Sequence, residues 1–232
     1  MNTVKLRTLF NKFLSTNTLG TLGAIICTIG LISTLLNFGS TMYLASINPD
    51  VTIGFTDWLY LIINGFFYLS VAKTFITAKN TGNFSAARYG VIILVIANFV
   101  LPLISTFASS ILAGAGAAAL FYVSLGLLSV LGCVYFVFLI LEYRKKGKYN
   151  NKVMLGLGIA ILVLSFLGLA ANIYTFSIML DIALINSTGT NETIAYVLGF
   201  LPYILDGING VLTGLILLLY PIITRRRERL GY

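Results

Sequence analysis

The sequence contains no histidine, and that absence narrows its chemistry at once. Haem, copper and most catalytic zinc sites take imidazole ligands, and much proton transfer near neutral pH uses the same ring. Neither a resident redox cofactor nor a metal is expected. Cysteine is nearly as scarce. Cys27 and Cys133 both sit inside apolar runs, so a disulfide framework is excluded and small packing residues are expected. Charge is sparse too: 9% of residues are charged, against about 25% in a soluble domain. No Gly-rich phosphate loop, paired carboxylate motif, metal-ligand pair or nucleophile–base set occurs, and the chain is not expected to be an enzyme.

What the chain does have is apolar sequence. Hydrophobic residues make up 58% of it, gathered into six long runs near 19–46, 57–78, 88–112, 118–142, 153–183 and 196–224. Runs of about 20 residues suffice to cross a hydrocarbon core of about 30 Å. The expected fold class is all-α: a polytopic integral membrane protein, a bundle of six transmembrane helices. The fifth and sixth runs exceed what a bilayer needs and are expected to project beyond it. Residues 1–18 lack the short apolar core of a cleavable signal, so the first span is expected to insert the chain. Within them Leu6, Leu9, Phe10 and Phe13 recur at helical spacing, which predicts an amphipathic segment lying at the interface. Residues 225–232 read as a basic tail.

The flanks give an orientation. Lys5, Arg7 and Lys12, then Lys79 and Arg88, then Arg144, Lys145, Lys146, Lys148 and Lys152, then Arg225, Arg226, Arg227 and Arg229 all fall on one side. Asp50, Asp57, Asp181 and Glu192 fall on the other. The positive-inside rule then puts both termini in the cytoplasm of a multi-pass cell (plasma) membrane protein. The net charge of +8 is accounted for by these anchors, and no nucleic acid partner is expected. The bilayer is the expected partner, with anionic lipid a candidate at Arg225, Arg226, Arg227 and Arg229. Trp58, Tyr60, Tyr89, Tyr143, Tyr196 and Tyr220 lie near span ends, as an interfacial belt would. Two sequons on the outer side, at Asn186 and Asn191, are candidates for glycosylation; a third, at Asn83, falls inside and would be silent. Similar Asn- and Gly-containing lead-ins to the odd-numbered spans suggest a pseudo-repeat of three hairpins.

The polar residues inside the spans are the candidate site. Pro202, Asp206, Asn209 and Thr213 line one face of the sixth helix by their spacing, and Gly210 and Gly214 form a small-xxx-small pair beside them. Asp206 falls near mid-span, where a carboxylate must face the bundle, a partner or water. Asn98 with Pro102, Ser105 and Ser109 marks a stripe on the third span; Ser165, Gly168, Asn172 and Thr175 mark one on the fifth; Ser33, Asn37 and Ser40 mark one on the first. Such stripes serve as interhelical glue or converge on a wet cavity around Asp206. Lys73, late in the second span, can snorkel to the surface.

The function expected first is that of a non-catalytic structural or accessory subunit of a larger membrane protein complex, partnered by other subunits or by copies of itself. The alternative is a small ion- or solute-transporter or channel with a proton or cation site around Asp206, Asn209 and Thr213. In composition, His-free and rich in Ile, Leu, Tyr and Asn, the chain is similar to small archaeal membrane proteins, a likeness that assigns no residue a role.

Overall fold

The computed structural model describes residues 14–47, 52–100, 119–144, 151–186 and 190–230. These form six helices, and no strand occurs among the described residues. Helix α1 spans Thr16–Ile47, α2 Phe55–Thr81, α3 Phe84–Val95, α4 Ala119–Arg144, α5 Asn151–Asn186 and α6 Thr190–Leu230.

Local chemistry sets several of the ends. Ser15 caps α1: the Thr18 amide donates to Ser15 Oγ at 3.3 Å, giving a partner to a first-turn N–H that has none within the helix. Asp57 Oδ2 accepts from the Gly54 amide at 2.8 Å at the start of α2. Gly82 ends that helix at φ 66°, a left-handed conformation that favours a residue without Cβ. Asn83 then opens α3, its Oδ1 accepting from the Ser85 amide at 2.9 Å.

Helix α3 widens into a π-helical turn over Ile96–Val100. Two features of the sequence suit that change. Asn98 Nδ2 donates to Leu94 O at 3.2 Å, and Pro102 has no N–H to offer the carbonyl one turn back.

Five helices are long and apolar enough to cross a membrane: Thr16–Ile47, Asp57–Thr81, Gly126–Arg144, Asn151–Ile178 and Val197–Leu230. The described part of the third expected span, Phe84–Val100, is shorter. The rest of that span, the interfacial segment at 1–13 and the link at 113–118 lie outside the described residues. Two expected boundaries move. The basic tail is a continuation of α6 as far as Leu230, because Arg, Glu and Leu are good helix formers. The expected loop over 184–195 shrinks, since α5 runs to Asn186 and α6 begins at Thr190. Asn186 therefore ends a helix, and Asn191 stands in the first turn of the next.

The helices pack antiparallel in sequence order. Helix α6 lies between α1 and α5, α2 covers the other side of α1, α3 leans on α2, and α4 meets α5 and the π turn of α3. Glycines allow the closest approaches. A Cβ on Gly23 would run into the Phe75 ring, and one on Gly214 would sit 2.8 Å from Leu162 Cα.

The core has a polarity along the bundle. Leu19 and Ile26 of α1, Phe75 of α2, Val91 of α3, Tyr135 of α4, Ile161 of α5 and Leu217 and Tyr220 of α6 are all fully buried. All but Val91 belong to the half of their helix nearer the basic flanks. Toward the other end, Phe55, Tyr60, Ile63 and Phe66 of α2 and Ile173 and Tyr174 of α5 are exposed. The bundle is thus tightly closed at its basic end and loosely packed at the opposite one.

Candidate functional site

The polar face of α6 reaches α1 where the two helices run side by side. Ser33 Oγ donates to Asp206 Oδ1 at 2.7 Å and also approaches Pro202 O at 3.3 Å. Ser33 is buried at 4% exposure, whereas Asp206 keeps an exposed side. The carboxylate is therefore held from within by one hydroxyl and open along its other edge.

Helix α2 completes the surroundings. The Tyr68 ring lies over Gly30 of α1, where a Cβ would collide with it, and its hydroxyl lies beside Asn209 and near Asp206. Tyr60 lies beside Asn37 of α1 and Asn64 of its own helix, also within the electrostatic reach of Asp206. With Tyr203 of α6, these residues gather polar groups between α1, α2 and α6.

Further along α6 and on α5 are polar atoms that find no partner among the described residues. Asn209 Oδ1, Thr213 Oγ1 and Ser165 Oγ are buried and make no hydrogen bond. Residue exposures are 4%, 0% and 5%. Such atoms cost free energy unless a water, ion or ligand satisfies them. Of these, Asn209 is one turn from Asp206, Thr213 lies two turns away, and Ser165 stands on α5 beside Gly210. Among the described residues no group of three or more acidic, Cys or His side chains forms a metal-binding cluster.

The five candidates from the sequence separate into two groups. Asp206 meets Ser33 of α1, Asn209 lies beside Tyr68 of α2, Thr213 is buried two turns beyond Asp206, and Ser165 of α5 lies beside Gly210. Asn172 lies to one side: its Nδ2 donates to Tyr203 O at 3.0 Å, tying α5 to α6 next to Gly207. Asn98 bonds within its own helix and serves the π turn. Lys73 is exposed, and Cys27 and Cys133 are both free thiols.

Sequence reasoning missed a second group, at the basic end. Glu142 is 1% exposed, and neither carboxylate oxygen makes a hydrogen bond. The Arg88 guanidinium and the Tyr220 hydroxyl lie close by. Arg88 Nε donates to Tyr220 Oη at 3.0 Å. Phe84 stacks on Tyr220 at 5.8 Å, with Arg88 and Arg227 over the Phe84 ring at 5.3 and 4.9 Å. The helical register holds the signal that could have found Glu142: it sits one and two turns beyond Leu139 and Tyr135 on the buried face of α4. Its neighbours Tyr143 and Arg144 instead read as an interfacial flank.

Comparison with protein-family models, curated proteins and solved structures found no match. The reading of the site therefore rests on its own chemistry.

Proposed function

We propose that the protein is an integral membrane protein of six spans with both termini on the cytoplasmic face, and that it takes up a proton or small cation between α1, α2 and α6, as a small transporter or channel. One observation carries the site: the exposed carboxylate of Asp206, clamped by Ser33 at 2.7 Å, one turn from the buried Asn209 oxygen that makes no hydrogen bond. Length and hydropathy of five helices support the membrane setting, as does the gathering of basic residues at one end. In a bilayer a mid-span carboxylate beside polar groups marks an ion or proton pathway by default.

The test is flux. Wild-type protein in proteoliposomes should dissipate an imposed proton or sodium gradient, and Asp206→Asn should abolish this while eluting at the same position on size exclusion. Vesicles with wild-type protein that are as tight as empty ones would refute the proposal, and so would full flux in Asp206→Asn.

The accessory-subunit reading keeps a specific observation of its own. Only 11% of the most apolar stretch of α2 is buried, and Phe66, Ile63 and Leu69 project from it at more than half exposure. A neighbouring subunit would use such a face. Native sizing of a mild-detergent extract discriminates: proteins co-migrating in fixed ratio support a subunit, and a lone chain or homo-oligomer favours transport.

A further inference from the structure

The closed end of the bundle encloses an acidic side chain. Glu142, in the last turn of α4, is 1% exposed, on the same buried face as Tyr135 and Leu139. Neither of its carboxyl oxygens makes a hydrogen bond. Arg88 of α3 and Tyr220 and Glu228 of α6 are the charged and titratable groups that reach it from neighbouring helices, and Tyr135 does so along α4. On α5, the titratable side chain at this end, Lys152, is exposed. Arg88 is half-buried, and its guanidinium is engaged elsewhere. Its Nε donates to Tyr220 Oη at 3.0 Å, and the Phe84 and Tyr143 ring centroids lie 5.3 and 6.0 Å from it.

An ionised carboxylate in this position keeps a full charge out of water with no donor on either oxygen, the costliest arrangement a buried acid can take. A bound proton removes that charge, and the Tyr220 hydroxyl close by offers the acid an acceptor. The opposite state has its own relief at hand. Arg88 is held by a neutral hydroxyl and two ring faces, so its long side chain is the cation free to turn to a carboxylate. We propose that Glu142 is a proton-binding group: the packing seen here suits the protonated acid, and loss of the proton draws Arg88 from Tyr220 to the carboxylate. The proton passes to water at the basic end, where the next two residues of α4, Tyr143 and Arg144, are exposed. The site is separate from Asp206. Both involve α6, but buried Ile216 and Leu217 lie between them along that helix.

The experiment is carbodiimide labelling of the full-length protein, with the modified residue located by mass spectrometry of its peptides. Dicyclohexylcarbodiimide is apolar and adds to a protonated carboxylic acid rather than to a carboxylate. Glu142 should take the label, with a yield that falls as the pH is raised. Glu228, exposed on α6, should stay unlabelled at neutral pH and serves as the internal control. Arg88→Ala removes the cation that favours the carboxylate. At a pH where labelling of wild type has mostly been lost, it should raise the yield at Glu142 by about tenfold, the effect of a neighbouring opposite charge on an acid, and Arg88→Lys should bring the yield back down. Infrared difference spectra between low and high pH give a second readout that needs no access for a reagent. Wild type and Asp206→Asn should both lose the C=O stretch of a protonated acid as the pH rises, and Glu142→Gln should lack that change. No label on Glu142 at any pH, with identical spectra for wild type and Glu142→Gln, would overturn the site. A yield constant across pH would overturn the exchange, and equal yields in wild type and Arg88→Ala would overturn the role of Arg88. If Glu142→Gln does not fold, the label mapped on wild type decides the proposal by itself.

Discussion

The hydroxyl of Ser33 is the part of the Asp206 site most open to a quantitative test. It is buried, and it donates to the carboxylate at 2.7 Å, a well-formed O–H···O distance. Ser33→Ala removes one donor and leaves a cavity no larger than an oxygen atom, so the change reports the hydrogen bond and little packing. Asp206→Leu removes the acceptor. Polar contacts between helices in membranes average about 0.6 kcal/mol and reach about 1.7. A buried hydroxyl donating to a carboxylate belongs in the middle of that range, so the coupling between the two substitutions should be about 1 kcal/mol. The assay is reversible unfolding in mixed micelles on titration with SDS, applied to wild type, both single variants and the double variant. The second donor contact of Ser33, to Pro202 O at 3.3 Å, is lost in both serine variants and cancels in the cycle. Additivity of the two substitutions to within about 0.3 kcal/mol, the usual error for uncoupled positions, would refute the clamp. It would also remove the reason for treating Asp206 as a positioned group.

Three further outcomes follow from packing and topology. Gly23→Val drives a side chain into the buried Phe75 ring and should destabilise by roughly 1–3 kcal/mol, whereas Gly39→Val meets nothing within 4 Å; the same unfolding titration compares them. Arg88→Ala withdraws the donor to Tyr220 and the cation beside buried Glu142, at a cost of about 2 kcal/mol, with Arg88→Lys recovering part of it; a loss under about 0.5 kcal/mol would show that the cluster is not coupled. With Cys27 and Cys133 changed to Ser, single cysteines at Ser187 and Lys148 should label from opposite faces of sealed vesicles, and labelling of both from one face would overturn the six-span topology.

Much of the helical layout was legible because apolar runs have few alternatives to helix. Its limits were less so. Nothing in the charge pattern says that Arg225–Leu230 extends α6 rather than trailing from it, since helix continuation depends on propensity and charge reports only on side. The face carrying Asp206, Asn209 and Thr213 was readable from spacing alone. Its partners were not, because spacing within one helix is silent about which helices become neighbours. Ser33 stood in a recognised stripe, yet its pairing with Asp206 needs α1 and α6 side by side. Tyr60, Asn64 and Tyr68 were invisible as site residues, since tyrosines near span ends also read as interfacial anchors. Asn172 and Asn98 resemble site residues in sequence and serve as helix ties in space.

The two prolines of α6 leave that helix mechanically uneven. Each removes the N–H that would bond a carbonyl one turn earlier. At Pro221 the orphaned carbonyl is Leu217 O, and the buried Tyr135 hydroxyl of α4 donates to it at 2.7 Å. That side chain stands in for the missing amide and pins the lower joint inside the core, with Pro221 buried between Tyr220 and Ile223. At Pro202 the support comes from the polar side, where Ser33 reaches Pro202 O and Asp206 together, and the flanking residues are only partly covered. Helix α6 thus carries one proline whose freed carbonyl is taken by a buried hydroxyl and a second beside which Ser33 ties the turn to α1. A change at Asp206 that releases Ser33 removes one tie between α1 and that turn.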